Sequence, residues 1–285
     1  MGLYSRPRTI EEAVAVLAGS GFIVLAGGTD FYPARVGRAL DENVVDITAV
    51  EGLRGIRKDG ECWRIGATTT WRDIIDAPLP PLFDGLKLAA REVGGAQIQN
   101  AATVAGNLCN ASPAADSVPV LVTLDARLEL CSAAGTRVLS IADFIRGNRR
   151  TAARPDELVS AVLVPQRPAG AAGHFLKLGA RRYLVISIAM VAGMMELDAA
   201  GRIMACRIAI GACSEVARRL PGLEQALLGR HISDSPEEAV EEQHFAALQP
   251  INDVRASADY RRDCALTLTQ RLLRELAARL AGPPP

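Results

Sequence analysis

Hydrophobic and polar residues in the first 165 positions are spaced as expected for a small α/β unit. Thr9 and Glu12 form a capping box ahead of apolar positions at helical spacing, which predicts a helix over 10–18. Apolar runs bounded by turn-forming residues predict strands with short helices between them. The predicted strands are 22–26, 44–47, 63–67, 127–131 and 158–164, and the other predicted helices are 71–75, 86–93 and 118–123.

The remainder of the chain shows strands first and helices afterwards. A stretch over 166–173 has the Gly, Pro and Ala content of a connector. Strands are then predicted at 175–178, 185–195 and 204–211, followed by helices at 222–228, 236–246 and 258–281. This order predicts an α+β fold with an antiparallel sheet packed on helices in the second domain. We expect one domain over 1–167 and a smaller one over 168–285.

Two loops of small residues are the candidate binding site. Gly27 and Gly28 follow an apolar run that ends at Leu25, and the missing Cβ of glycine lets backbone N–H groups approach an anion closely. A second Gly-bearing segment, Thr103–Asn107, reads as another turn and is followed by Ser112–Asp116. Either loop alone could simply reverse the chain, whereas both together predict a cradle for a pyrophosphate. The absence of Gly-x-Gly-x-x-Gly and Gly-x-x-x-x-Gly-Lys motifs disfavours Rossmann and P-loop folds.

Composition and charge argue against nucleic acid or a membrane as the binding partner. The chain has 285 residues, of which 49% are hydrophobic, and 32 basic side chains balance 32 acidic ones. No overall field therefore favours nucleic acid or an anionic membrane. The apolar stretch over 184–195 is far shorter than the ~20 residues of a membrane span and is better explained as a buried strand. No apolar segment of signal-peptide length lies near the start, so we expect a cytoplasmic protein.

Cysteine and histidine spacings argue against a metal or nucleophilic centre on this chain. The six cysteines are scattered, with no Cys-x-x-Cys pair for zinc or an iron–sulfur cluster. The three histidines have no metal or triad spacing. We therefore assign no catalytic residue and no metal ligand. A group of arginines at 146, 149, 150 and 154 could bind a phosphate-bearing acceptor or face an acidic partner, or could be a solvated loop.

Several short motifs, taken in order, resemble the FAD-binding subunit or domain of the molybdenum hydroxylase family, which includes xanthine and carbon monoxide dehydrogenases. The resemblance covers nearly the full chain. It implies a two-part N-terminal FAD-binding domain of the vanillyl-alcohol-oxidase (PCMH) type, followed by a C-terminal domain like that of carbon monoxide dehydrogenase flavoproteins. The segments that carry it are 4–7, 26–30, 65–69, 97–100, 103–107, 111–116, 144–151, 155–158 with Pro165, 175–177, 181–182 and 253–261.

The resemblance also implies which residues hold a non-covalent FAD. Residues 26–30 would wrap the pyrophosphate, and Thr103, Gly106 and Asn107 would clamp it from the other side. Asp116 would accept hydrogen bonds from the adenosine ribose. Val159 would line the flavin ring, and the positive charge of Lys177 near the ring would favour its anionic reduced form. In the alternative interpretation these residues stabilise turns, cap a helix, or lie in the core or in solvent. The cofactor-binding set is Leu25, Ala26, Gly27, Gly28, Thr29, Asp30, Phe31, Thr103, Gly106, Asn107, Asp116, Val159 and Lys177.

One departure from the family pattern concerns the second loop. Ala105 stands where a second glycine is common, and its methyl group could crowd a phosphate. An alanine is accommodated there if its φ is negative. The departure therefore bears on the geometry of the loop and not on the presence of a binding site.

The resemblance implies an electron-transfer role within a complex. A large molybdopterin-binding subunit would oxidise the organic substrate, and a small iron–sulfur subunit would pass electrons to the flavin of this chain. The acceptor would be NAD, a quinone or oxygen. Two alternatives stay open from the sequence: a free-standing FAD-dependent oxidoreductase of the same superfamily, and a non-enzymatic dinucleotide-binding assembly protein.

Overall fold

The computed structural model describes residues 2–19, 21–37, 39–168 and 170–281. These residues form two compact units. The first comprises the described residues up to Ala77 together with Gly95–Ser112 and Asp125–Pro165. The second comprises Pro78–Gly94, Pro113–Leu124 and the described residues from Gln166 onward. Two segments from the N-terminal half therefore belong to the unit that contains the C-terminal half, and the domain boundary after residue 167 stays a prediction.

Strands are present in both units. Those of the first unit are β1 (Tyr4–Ser5), β2 (Phe22–Leu25), β3 (Asn43–Asp46), β4 (Ile56–Asp59), β5 (Cys62–Gly66), β6 (Arg127–Ser132), β7 (Gly135–Ser140), β8 (Ile145–Gly147), β9 (Arg150–Thr151) and β10 (Leu158–Pro165). Those of the second unit are β11 (Ala172–Leu178), β12 (Ala189–Leu197), β13 (Ile203–Gly211) and β14 (Arg218–Arg219).

Helices connect the strands, and short 3₁₀ turns supplement them. In chain order the helices are α1 (Ile10–Ala18), α2 (Trp71–Asp76), α3 (Asp84–Glu92), α4 (Ala96–Ala101), α5 (Val104–Asn110), α6 (Ser117–Thr123), α7 (Ile141–Phe144), α8 (Pro221–Leu227) and α9 (Ala258–Leu280). The 3₁₀ turns are Pro33–Arg35, Ile47–Ala49, Pro81–Phe83, Pro236–Ala239 and Glu242–Phe245. Within the described residues, no helix is both long and apolar enough to cross a membrane.

The first unit contains two sheets and a small ribbon. β1, β3 and β2 form a parallel sheet in that order, and β4, β5, β10, β6 and β7 form an antiparallel one. β8 pairs with β9. Leu17 of α1, Val45 of β3 and Leu158 of β10 share one buried apolar cluster. In the parallel sheet Leu25 pairs with Asp46, so β2 ends beside β3 and the Gly27–Gly28 loop begins at this sheet's edge.

The helix predicted over 10–18 is confirmed, and its cap differs in one contact. The Thr9 hydroxyl accepts a hydrogen bond from the Glu12 N–H at 3.2 Å, as the capping box requires. The Glu12 carboxylate, however, accepts from the N–H of Arg8 at 2.8 Å and not from that of Thr9. The sequence pattern located the helix because the cap lies within a few residues of it along the chain.

The second unit is an antiparallel sheet covered by the long helix α9. β11, β12, β13 and β14 pair in that order, all antiparallel. Leu272, Leu273 and Leu276 of α9 are buried in the same cluster as the sheet residues Val191 and Ile208. The predicted arrangement of an antiparallel sheet packed on helices is confirmed.

In the second unit, one predicted strand is wrong in extent and one predicted helix is wrong in type. The strand predicted over 185–195 begins only at Ala189, and the preceding Tyr183, Leu184 and Ile186 are 60%, 59% and 56% exposed. Leu184 has a φ of 52°, which no strand residue adopts. The helix predicted over 236–246 is instead two separate 3₁₀ turns. The predicted connector includes Ala169, which lies outside the described residues.

Candidate functional site

The loop after β2 offers a run of backbone donors. Gly28 has a φ of 70°, and its carbonyl accepts the N–H of Tyr32 at 3.1 Å. None of the backbone N–H groups over 27–31 donates a hydrogen bond to another residue that the structure describes. Successive unpartnered N–H groups in a turn with left-handed backbone form an anion-binding concavity. A concavity of this kind suits the oxygens of an anion such as a phosphate.

The two glycines of this loop are required for different reasons. A Cβ added to Gly27 would lie 2.0 Å from the carbonyl oxygen of Ala101, so this position packs directly against backbone. A Cβ added to Gly28 would lie 2.8 Å from the ring of Tyr32, and its positive φ disfavours any other residue. Both glycines thus fix the course of the loop, which a larger residue at either position would displace.

Aromatic and charged side chains hold the far end of the loop. The rings of Phe31 and Tyr32 meet edge to face, with centroids 5.3 Å apart. The Arg35 guanidinium lies 3.8 Å from the centroid of the Phe31 ring and donates to Glu42 at 2.9 Å. These contacts order the segment that follows the unpartnered N–H groups.

The second predicted loop is the first turn of helix α5, so the turn predicted over 103–107 is wrong. Thr103 is the N-cap, and its hydroxyl accepts the N–H of Gly106 at 3.2 Å. The N–H groups of residues 104, 105 and 107 donate to the carbonyl oxygens of Thr69 (3.0 Å), Ala67 (3.3 Å) and Thr103 (3.0 Å), respectively. The backbone donors of this segment are therefore used inside the protein, unlike those of 27–31.

Ala105 fits this arrangement without strain. It lies in α5, and it is absent from the positive-φ residues of the described chain, as the sequence analysis required for an alanine at this position. Its side chain is buried.

Asp116 and Lys177 form a buried ion pair in the second unit. The Lys177 ammonium donates to Oδ2 of Asp116 at 2.8 Å, and the Ser187 hydroxyl donates to Oδ1 at 2.7 Å. Asp116 makes no capping bond to helix α6, so the alternative of a helix cap is wrong. Burial raises the pKa of the Asp116 carboxyl above its ordinary value, while the Lys177 charge and the two hydrogen bonds oppose that rise.

The side chain of Lys177 is buried and lines a cavity. It extends from β11, and only 6% of its side chain is exposed, so the alternative of a lysine in solvent is wrong. The cavity measures about 370 Å³. Its lining residues are Glu92, Lys177, Leu178, Gly179, Arg181, Arg182 and Val185.

The other predicted residues occupy plain structural positions. Val159 is buried on β10 at an irregularity in the pairing with β6. Of the arginine group, Arg149 donates to the Asn110 side chain and Arg154 pairs with Glu157 at 3.0 Å. Among the described residues, no cluster of His, Cys, Asp or Glu could hold a metal ion.

Sequence reasoning missed Ser187. This serine stands between two isoleucines in the apolar stretch that was assigned to a strand, and it bonds Asp116 across 71 positions of the chain. Nothing local to Ser187 predicts that contact.

Comparisons with known proteins agree over both parts of the chain. Residues 1–167 match the FAD binding domain in molybdopterin dehydrogenase, and residues 174–276 match the CO dehydrogenase flavoprotein C-terminal domain. The chain is 31% identical to the xanthine dehydrogenase FAD-binding subunit of Escherichia coli O157:H7, covering 98% of this chain and 97% of the relative. It is 30% identical to the nicotine 6-hydroxylase medium subunit of Paenarthrobacter nicotinovorans, covering 97% of each.

The fold is also similar to that of a chain in a solved structure. The reconstituted CO dehydrogenase from Oligotropha carboxidovorans contains a chain that superimposes with a TM-score of 0.88 at 27% identity, covering 98% of each chain. Both matched domains are those of flavoproteins, and the first is an FAD-binding domain. The chain belongs to the FAD-binding subunits of the molybdenum hydroxylase family, the group of xanthine and CO dehydrogenases, and is an oxidoreductase subunit.

Proposed function

We propose that this chain holds one FAD non-covalently and passes electrons from an iron–sulfur cluster on a partner subunit to NAD, a quinone or oxygen. The observation that carries the proposal is the run of unpartnered N–H groups over 27–31. Five neighbouring donors suit the several oxygens of a pyrophosphate better than a single carboxylate. When bound, FAD supplies a carrier that takes up and gives out electrons singly or in pairs.

Each unit contains residues with a proposed contact to a different part of FAD. In the first unit the N–H groups of 27–31 would donate to the pyrophosphate. The contacts of Thr103, Gly106 and Asn107 stay predictions. Because the helix amides already donate within the protein, a donor to the phosphate oxygens on this side would have to be a side chain, such as the Thr103 hydroxyl, while Gly106 would only allow a close approach. In the second unit Asp116 would bind the ribose, and Lys177 would place a positive charge near the flavin ring. The role of Val159 beside that ring stays a prediction. No side chain need act as an acid or a base.

The proposed partners are a large molybdopterin-binding subunit and a small iron–sulfur subunit. Relatives named as medium subunits or medium chains support this, because a medium chain implies a larger and a smaller one. The organic substrate would be oxidised on the large subunit. The cytoplasmic location expected from the sequence also stays a prediction.

Replacing Asp116 with Ala is expected to weaken FAD binding by about 1–3 kcal/mol, roughly 5- to 150-fold in Kd, through the lost charge-assisted hydrogen bonds. The Lys177 ammonium would also lose its buried counter-ion. Titration of the apo-protein with FAD measures the change. Asp84→Ala is the control, because Asp84 belongs to the same unit and makes only an exposed 3.4 Å contact with Arg279. Equal affinity in wild type and Asp116→Ala would contradict the assignment of Asp116.

Hydrogen exchange with and without the partner subunits tests the electron-relay proposal. A cluster must come close to the flavin, so backbone amides near the flavin edge are expected to exchange more slowly in the complex. The largely exposed segment 180–186, which follows β11 and Lys177, is the most informative region. Unchanged exchange around 25–31, 103–107 and 175–188 in the complex would contradict the proposal.

A further inference from the structure

Arg261 carries a buried positive charge in the second unit. It lies in the first turn of α9 and is 2% exposed. Its guanidinium donates to the carboxylate of Asp253 at 2.8 Å and to the carbonyl oxygens of Ile188 and Ala212 at 2.5 and 3.3 Å. A buried guanidinium is tolerated only when such acceptors surround it. Its position therefore depends on these three contacts.

The two carbonyl groups belong to neighbouring strand ends. Ile188 directly precedes β12, and Ala212 directly follows β13, where Met190 and Gly211 form the last register pair. Ala212 has a φ of 61°, a conformation that alanine rarely adopts without external support. One guanidinium thus joins both strands where they leave the sheet.

A residue at each of these strand ends makes a hydrogen bond to Asp116 or to the backbone just before it. Ser187, the residue before Ile188, donates its hydroxyl to Asp116 at 2.7 Å. The N–H of Ala212 donates to the carbonyl oxygen of Pro113 at 3.2 Å, three residues before Asp116. Arg261 therefore fixes a side-chain partner of Asp116 and also the backbone segment on which Asp116 stands.

The same strand end also carries a bond toward Lys177. The N–H of Ile188 donates to the carbonyl oxygen of Leu178, the residue after Lys177, at 2.8 Å. The backbone near Asp116 and the backbone next to Lys177 are therefore hydrogen-bonded to Ala212 and Ile188, the two residues whose carbonyl groups Arg261 binds.

Asp253 holds the guanidinium in place. Hydrogen bonds from Arg255 and Arg261 keep the pKa of the Asp253 carboxyl well below its ordinary value, so it is an anion at neutral pH. The segment 253–261 therefore contains both members of this ion pair. The carboxylate of Asp253 and the guanidinium of Arg261 that it orients lie eight positions apart.

We propose that Arg261 is a positioning residue for the cofactor, which sets the geometry of the Asp116–Lys177 pair through the strand ends at Ile188 and Ala212. The inference rests on the proposed function, because it takes Asp116 and Lys177 as groups that contact FAD. A lysine at position 261 could reach one carbonyl group but could not reproduce the planar fork of the guanidinium.

The test measures the Kd of the full-length apo-protein for FAD in Arg261→Lys and Asp253→Asn variants. Both are expected to raise the Kd about tenfold, a loss comparable with that of a buried charge-assisted contact. Arg262→Lys is the matched control, because Arg262 is the next residue on the same helix and makes only an exposed 3.4 Å contact with Asp259. Its Kd is expected to stay within about twofold of wild type, since such exposed pairs contribute little.

A double-mutant cycle with Ser187→Ala separates positioning from general destabilisation. If Arg261 acts through Ser187 and Asp116, the effects of Arg261→Lys and Ser187→Ala on the Kd are less than additive. Additive effects would contradict the proposal, as would a wild-type Kd in Arg261→Lys. If Arg261→Lys fails to fold, Asp253→Asn decides by the same criteria. If Asp116→Ala itself leaves the Kd unchanged, the assignment of Asp116 fails first, which separates that result from failure of the inference.

Discussion

Gly28→Val is expected to yield a folded protein that retains almost no FAD. Gly28 has a φ of 70°, where a β-branched residue is strained by roughly 1–3 kcal/mol. A Cβ there would also lie 2.8 Å from the Tyr32 ring. Relief of the backbone strain is expected to shift the loop and displace the unpartnered N–H groups over 27–31. The absorbance ratio of flavin to protein after purification measures the effect, which we expect to be at least tenfold (~1.4 kcal/mol).

Gly52→Val is the matched control for backbone strain. Gly52 also belongs to the first unit and has a φ of 77°, but a Cβ there has no atom within 4 Å. This variant carries the same conformational cost without touching the proposed site, so it should keep its flavin. Circular dichroism and thermal melting show whether both variants are folded. Full flavin content in Gly28→Val would remove the pyrophosphate assignment of the loop.

The purified chain alone is expected to oxidise no purine, carbon monoxide or aromatic substrate, although dithionite should reduce its flavin. The proposal assigns molybdopterin and the iron–sulfur clusters to other subunits, and the six cysteines here have no cluster spacing. A suitable acceptor should then reoxidise the reduced flavin. Stopped-flow absorbance of the flavin band follows both reactions.

Reconstitution with the large and small subunits provides the positive control for this experiment. Substrate oxidation should appear only when all three chains are present. Bleaching of the flavin by an organic substrate with the lone chain would instead support a free-standing oxidoreductase. A chain purified without any flavin would favour a non-enzymatic assembly protein.

The sequence predicted those parts of the fold whose causes lie close together in the chain. Helix α1 begins at its predicted residue because Thr9 caps it three positions before Glu12. The glycine loop after β2 was also readable, since two adjacent glycines follow an apolar run, and Gly28 has a positive φ, which glycine adopts readily. The second sheet was predictable because each of its main strands is a largely apolar run that can be recognised locally in the chain.

Elements whose causes are distant could not be read in this way. Residues 103–107 contain Gly and Asn, which favour a turn, yet they begin helix α5 because their N–H groups find acceptors at residues 67 and 69. Resemblance pointed to Asp116 and Lys177 separately, but their pairing and its extension to Ser187 depend on how the second unit folds. The role inferred for Arg261 likewise follows from contacts that span up to 73 positions.

Acid precipitation of the purified chain determines whether the site holds FAD without a covalent bond. The loop over 25–31 supplies backbone donors and no side chain that would tether the ring, and Cys109 on α5 is the nearest thiol in the sequence to the second motif. We expect acid to release all the yellow colour and chromatography of the supernatant to find one FAD per chain. Flavin that stays with the pellet, or FMN in the supernatant, would contradict a non-covalent site for pyrophosphate and adenosine.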